Sequence, residues 1–239
     1  MGKEPIIIVG GEPNSIFLEI FFKSLKAKTY KSPLIIVISK KLLQEQMKKL
    51  SFTFEINDID KKLKDFTKLN NNKINLINVD YDFKKCFEKI TSKSNKYINE
   101  TFETALNFMK KNNFSKLING PVSKKYFLKG KTLGITEYLA NKTKRSKVAM
   151  LIFNKNLSVS PLTTHLALKD VHKKITKQKI YTQVNLINNF YKIKFNKIPR
   201  IAITGLNPHC ESNFQNSEED KIIIPAIKKL RLKNTKIKG

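Results

Sequence analysis

The chain is poor in several residues that usually carry function. Among 239 residues there is no tryptophan, and there are two cysteines, three histidines, three arginines and eight glycines. Two cysteines, Cys86 and Cys210, cannot make a disulfide framework of the kind that staples small secreted domains. No apolar stretch approaches the roughly 18–20 residues needed to span a bilayer. The run Pro5 to Val9 is too short for a signal-peptide core and is followed by Gly10-Gly11 with no cleavage pattern. These absences predict a cytoplasmic chain with no membrane partner. Acidic residues are also scarce, 19 against 47 basic ones, for a formal net charge of +28. Such a field suits a nucleic-acid binder. Yet the basic residues are almost all lysines spread along the chain, and nucleic-acid readers favour arginine for bidentate contacts. With no tryptophan, and with Phe and Tyr mostly at core-like positions, no stacking platform for bases emerges. The charge therefore reads as compositional bias, with no nucleic-acid partner, although it would still gather phosphorylated small molecules.

What is present is a globular composition, 40% hydrophobic and 28% charged, in a chain long enough for one large domain or two small ones. Ile6 to Val9 and Leu34 to Ser39 read as buried strands. Ile16 to Leu25 reads as a helix with Phe17, Ile20, Phe21 and Leu25 on its inner face. A helix is predicted over Lys41 to Leu50, and little order from Thr53 onward until a strand at Lys73 to Val79. Lys96 to Asn112 reads as a helix burying Ile98, Phe102, Ala105, Phe108 and Met109, followed by a short strand from Lys116 to Asn119. Pro121 to Lys129 reads as a loop and short helix, and Thr136 to Lys142 as helical. Val148 to Phe153 and Leu157 to Leu162 suggest a strand pair around Asn154-Lys155-Asn156. Gln178 to Phe195 is the strongest helix, with Ile180, Val184, Ile187, Tyr191 and Phe195 on one face. A strand at Ile201 to Thr204 and a helix from Ser217 to Leu230 complete the pattern. Ser217 is that helix's cap, and Pro225 kinks it or breaks it early. Strands alternating with helices predict α/β architecture with a largely parallel sheet.

Familiar nucleotide motifs fail. Gly130-Lys131-Thr132 imitates the end of a P-loop, but Lys125 stands where the first glycine is needed. Gly10-Gly11 follows a strand without a G-x-G-x-x-G. Ser123 and Ser160 lack a nucleophile-elbow context. The informative residues are histidines. Thr163-Thr164-His165 and Gly205-Leu206-Asn207-Pro208-His209 each follow an apolar run that reads as a buried strand. A histidine at the carboxyl end of a strand points into the crevice where α/β proteins hold ligands. Two readings stand: both imidazoles bind one divalent metal, or they are unrelated loop residues that cap backbone.

Five segments in order, Gly11-Glu12-Pro13, Asn119-Gly120-Pro121-Val122-Ser123-Lys124, Gly134-Ile135-Thr136-Glu137, Thr163-Thr164-His165-Leu166 and Gly205 to His209, resemble the 4-hydroxythreonine-4-phosphate dehydrogenase family of pyridoxal phosphate biosynthesis. The likeness is weak across Thr53 to Tyr97 and strong from Asn119 onward. The resemblance implies an isocitrate/isopropylmalate dehydrogenase-like fold: two α/β/α domains, the active site in the cleft between them, divided here as 1–118 and 119–239. The second would carry the metal ligands and the dimer contacts of a homodimer. It also implies NAD or NADP and a divalent metal (Zn, Mg or Co). His165 and His209 match two of the family's three histidine ligands. The third lies in a Tyr-His-Asp-Gln-Gly segment without a match here, so the chain reads as the N-terminal portion of a longer enzyme, incomplete at the C-terminus and inactive alone.

The implied reaction oxidises 4-hydroxy-L-threonine 4-phosphate and releases CO2, giving 3-amino-2-oxopropyl phosphate. Thr136 would hydrogen-bond the substrate. Lys124 would stabilise charge or move a proton, or is a solvated loop lysine. Asn207 would contact substrate or, more in keeping with its place, orient the His209 loop. Asp170 would orient His165 or cap a short helix, and His172 is a surface residue. Ile135 replaces a histidine usual in the family, and Asn14 to Leu18 and Cys210 to Asn213 replace glycine-richer loops. These departures keep open a dehydrogenase of threonate or erythronate 4-phosphate, and a non-catalytic basic binding protein on the same scaffold.

Overall fold

A computed structural model describes residues 3–130, 132, 134–207, 210, 217–232 and 236–239. The chain divides into two compact units, Met1–Ile135 and Thr136–Gly239. Sequence reasoning divides the chain after Ile118. The helical turn Lys124–Leu128 belongs with the first unit, because Leu128 is buried there, Phe127 stacks on Phe102 (6.3 Å) and Asn95 Nδ2 donates to Tyr126 O (2.8 Å).

The first unit is a parallel sheet with helices. Its strands are β1 (Ile6–Val9), β2 (Leu34–Ile38), β3 (Ile56–Asp58), β4 (Ile74–Asn78) and β5 (Leu117–Asn119), in the order β3-β4-β2-β1-β5, and every pairing is parallel. Helices α1 (Phe17–Ala27), α2 (Lys40–Lys49) and α3 (Asn95–Asn112) connect them. β2 is Leu-Ile-Ile-Val-Ile and wholly buried, the continuous apolar run expected of a parallel strand covered on both faces. Ser39 starts α2 by accepting from Leu42 N (3.3 Å), and α3 stops at Asn113, whose φ of 55° is the left-handed cap that Asn tolerates.

Two expectations need correction in this unit. Ile20 is 53% exposed; α1 buries Phe21 as expected, together with Leu18 and Phe22. Phe22 sits 5.3 Å from Phe52 and 5.9 Å from Phe54, so a ring cluster from a distant segment sets the rotation of the helix. The low-order stretch after Thr53 contains β3, an edge strand of three residues. It is held by its register against β4 and by Asn57 Nδ2 donating to Asn75 Oδ1 (2.9 Å), not by an apolar run.

In the second unit, α4 (Ile135–Lys142) begins at the boundary, followed by α5 (Leu168–Val171), α6 (Lys177–Phe195), β6 (Ile201–Ala202), α7 (Ile224–Arg231) and β7 (Ile237–Lys238). Its core joins Ile175, Ile180, Val184, Ile223, Ala226, Ile227, Leu230 and Ile237. β6 and β7 pair in parallel. The strand pair expected around Asn154-Lys155-Asn156 reduces to one antiparallel bridge, Ile152 to Val159, and the run from Leu157 is not buried: Leu157 is 76% and Val159 54% exposed. Among the described residues no further strand lies against it, so its backbone is fixed on one side only. Pro225 does not end the last helix: a π-turn over Glu219–Ile223 runs directly into α7, so helical backbone continues through the proline with its hydrogen-bond ladder locally widened just before it.

Candidate functional site

In the first unit the chain leaves β1 toward β2 on one side and later returns to β5 on the other. The crevice outside the carboxyl ends of β1 and β5 is therefore a topological switch point, the usual ligand position in open α/β sheets. The two loops there touch. Glu12 N donates to Pro121 O (2.8 Å) and Gly120 N to Val9 O (2.7 Å). Gly11 has φ +72°, and a Cβ on it would stand 2.4 Å from Pro121 O; a Cβ on Gly120 would stand 2.2 Å from Gly10 O. Only glycine permits this approach.

Glu12 follows directly and is buried, 3% exposed. Ser94 Oγ donates to its Oε2 (2.9 Å) and Asn14 N to its Oε1 (3.4 Å). Burial pushes its carboxyl above the ordinary value, with those bonds partly opposing. Tyr97 is buried beside it, accepts from Ser39 N (2.9 Å), and stacks on Tyr81 at 4.4 Å. Burial raises both phenols. Sequence reasoning noted Glu12 only as part of a motif, because its burial comes from packing of loops distant in sequence. Lys124 lies exposed at the start of the Lys124–Leu128 turn, which Ser123 caps by accepting from Tyr126 N (3.1 Å).

In the second unit His165 is exposed at a φ of 56°, in a turn directly after Thr163-Thr164. Asp170 is engaged by Lys173 Nζ (3.0 Å) and not by His165, and α5 takes Ala167 as its N-cap residue. His172 is exposed, as expected. Thr136 is half-buried in the first turn of α4, one residue after Ile135. His209 lies outside the described residues, but the loop leading to it is fixed. Glu219 Oε1 accepts from Leu206 N (2.7 Å) and Asn207 N (2.9 Å), and its Oε2 accepts from Asn207 Nδ2 (2.8 Å). Glu218 Oε2 accepts from the same amide (3.2 Å). The Asn207 N–H leads the effects that hold the Glu219 carboxyl down to about 2, against the opposing cost of burial. Gly205 leaves room for this arrangement: a Cβ there would stand 2.3 Å from Cys210 Sγ and 3.1 Å from Glu219 Oε1. Nothing in the local sequence marks Glu219 as the anchor of Leu206 and Asn207; that role needed the fold.

Thr163, on the way to His165, and Thr204-Gly205-Leu206, on the way to His209, line the same cavity of about 760 Å3. Described residues preceding both histidines thus line one cavity of the second unit. No group of three His, Cys, Asp or Glu side chains able to hold a metal occurs among the described residues. No described helix is long and apolar enough to cross a membrane.

A parallel sheet with a switch-point crevice, followed by a second unit of helices and short strands, is the fold of solved α/β dehydrogenases. The crystal structure of 4-hydroxythreonine-4-phosphate dehydrogenase from Klebsiella pneumoniae superposes with a TM-score of 0.83 at 23% identity, covering 99% of this chain and 74% of that one. The chain belongs to the family described as pyridoxal phosphate biosynthetic protein PdxA, which it matches over residues 29–239. A relative named 4-hydroxythreonine-4-phosphate dehydrogenase from Sulfurihydrogenibium sp. (strain YO3AOP1) is 36% identical over 231 residues, 95% of this chain and 70% of the relative. One of the same name from Colwellia psychrerythraea is 28% identical over 238 residues, 98% of this chain and 72% of the relative.

Proposed function

We propose that the chain provides the sheet crevice and two metal-binding loops of a dehydrogenase that oxidises 4-hydroxy-L-threonine 4-phosphate. The secondary alcohol becomes a ketone, and the resulting β-keto acid loses CO2 to give 3-amino-2-oxopropyl phosphate. Membership of the family carries this reading, and the cavity lined by both Thr163 and Thr204-Gly205-Leu206 supports it. Two imidazoles suit a borderline cation such as Zn or Co, and leave positions open for further ligands and substrate. When bound, a divalent cation supplies Lewis-acid stabilisation of charge developing on the substrate oxygen, and NAD or NADP supplies the hydride acceptor.

The protein's own residues bind and orient. His165 and His209 would hold the cation through their ring nitrogens. Asn207, clamped by Glu219, fixes the approach of the His209 loop, an orienting duty that fits its contacts better than direct substrate binding. The Thr136 hydroxyl donates to the substrate phosphate. The exposed Lys124 ammonium offsets negative charge on the substrate. A homodimer accompanies this reading, supported by exposed Ile152, Phe153, Ile193, Phe195 and Ile198 on the second unit, where Phe153 stacks on Phe195 at 5.4 Å.

Cobalt(II) titration tests the ligands and NAD(P)H formation tests the chemistry. The expected result is a Co(II) ligand-field band that His165→Ala and His209→Ala each reduce. NADH or NADPH should form from 4-hydroxy-L-threonine 4-phosphate only when the chain is combined with the part of the Sulfurihydrogenibium relative that it does not match. An unaltered band in both variants would overturn the metal assignment. Turnover of threonate or erythronate 4-phosphate in place of this substrate would move the assignment to that chemistry.

A further inference from the structure

Residues 79–91 join β4 to a 3₁₀ turn at Ser92–Ser94 and contain no helix or strand. A connection of that length without secondary structure is uncommon in a compact domain, and where it occurs it usually serves as a lid or a binding loop. Its two ends are fixed. At the first, Tyr81 stacks on Phe83 (5.6 Å) and on the buried Tyr97 (4.4 Å). At the second, Ser94 Oγ donates to Glu12 Oε2 (2.9 Å), beside the crevice at the ends of β1 and β5. Between these anchors the stretch 82–90 makes one hydrogen bond among the described residues: Glu88 N donates to Asn14 Oδ1 (3.0 Å), in the loop that follows β1. The residue before Glu88 is Phe87, 44% exposed and at a φ of 64°. A left-handed backbone at a bulky residue is an outlier. One residue earlier is Cys86, the only buried side chain of the stretch.

We infer that residues 82–90 form a strap that opens and closes beside the crevice of the first unit, latched by Asn14 and opposed by the strained backbone of Phe87. Strain of this kind persists only where the surrounding structure over-determines it. Here the buried Cys86 holds one side of Phe87 and the Glu88–Asn14 bond holds the other. A left-handed conformation costs a non-glycine residue about as much as one hydrogen bond contributes net. Latch and strain therefore nearly offset each other, and burial of Cys86 is left to keep the strap closed. When the latch breaks, Phe87 relaxes to an ordinary backbone, Cys86 leaves its site, and Asn14 loses its partner. An open strap widens the crevice on the β1 side; a closed one walls it. The sheet stays as it is, since the β2–β4 register and the Tyr81 and Ser94 anchors lie outside the moving stretch. Segments with few hydrogen bonds and few buried side chains open in this way without unfolding the domain. The strap depends on contacts within the first unit and is independent of the proposed chemistry.

Thiol labelling reads the opening without an activity measurement. In a Cys210→Ser background Cys86 is the one thiol, and a small aromatic disulfide is the probe. The parent is expected to react at a rate that low urea leaves unchanged, the mark of local opening. Asn14→Ala removes the latch and is expected to speed labelling about fivefold, the weight of one hydrogen bond. Phe87→Asn puts a residue that tolerates the left-handed region in place of one that does not, and is expected to slow labelling about fivefold. Hydrogen exchange at the Glu88 amide should follow the same order, with the β2 amides unchanged. Labelling that climbs with urea in step with global unfolding would overturn the strap. So would either variant matching the parent, or both shifting the rate in the same direction. Should Asn14→Ala fail to fold by circular dichroism, Phe87→Asn decides alone: a rate equal to the parent's or faster overturns the proposal.

Discussion

Glu219 is the residue that holds Leu206 and Asn207 in place. Its carboxylate gathers two backbone N–H groups and one side-chain amide, and is 3% exposed. Its folded-state value, about 2, lies below the ordinary 4.5, so the carboxylate's contribution to stability is complete above about pH 4.5 and is lost as pH falls through 2. Glu219→Gln should cost about 2 kcal/mol at neutral pH, the scale of hydrogen bonds to a charged group. The difference in Tm between parent and variant should shrink steadily between pH 4.5 and 2, and thermal melts at a series of pH values measure it. A variant that melts with the parent at neutral pH would show that the loop is held by other contacts. Ile135 carries the second residue-scale prediction. Ile135→His, in a combination competent for turnover, should raise kcat/KM for 4-hydroxy-L-threonine 4-phosphate by about tenfold, the weight of one hydrogen bond to a charged group. An unchanged or lower value, with good use of threonate or erythronate 4-phosphate by the parent, would mean that the apolar side chain is an adaptation to that substrate.

Among elements, the close packing of the β1 and β5 ends is the most demanding. Gly120→Ala drives a methyl group to 2.2 Å from Gly10 O and 2.9 Å from the Phe17 ring, so backbone must move. A loss of about 3 kcal/mol is expected in denaturant melts, the upper range for overpacking. Gly130→Ala is the control. Gly130 also has a positive φ, +69°, but nothing lies within 4 Å of the added Cβ, so about 1 kcal/mol of left-handed backbone strain is expected. Equal losses at the two positions would show that the approach of the two loops is not what demands glycine. Helices whose inner face repeats strictly were legible in the sequence: α3 buries Ile98, Phe102, Ala105, Phe108 and Met109 as expected. α1 was legible only in part: Phe21 is buried as expected, but Phe22 is drawn to Phe52 and Phe54, a contact that no window of local sequence contains. β3 was not legible, since an edge strand of Ile-Asn-Asp has too few apolar residues to stand out from loop.

At the scale of the whole molecule, a net charge of +28 repels itself. Raising salt from about 0.01 to about 0.15 M shortens the Debye length from about 30 to 8 Å, so Tm should rise over that interval. A flat or falling Tm would mean that attractive pairs such as Lys40–Asp58 and Lys73–Glu55 outweigh the repulsion. The sequence by itself determined the α/β class, the parallel sheet of the first unit, most helices and the order of the five segments that mark the family. These depend on local periodicity and on residue types at fixed spacing, which survive in a linear string. Tertiary structure alone decided which face of α1 is buried, that Glu12 is enclosed by Ser94 and Asn14, that Glu219 anchors the Asn207 loop, and that the apolar run after Leu157 stands open beside β6 rather than buried. Each of these rests on contacts between residues far apart along the chain, whose energy depends on where the backbone brings them and not on which neighbours they have in sequence.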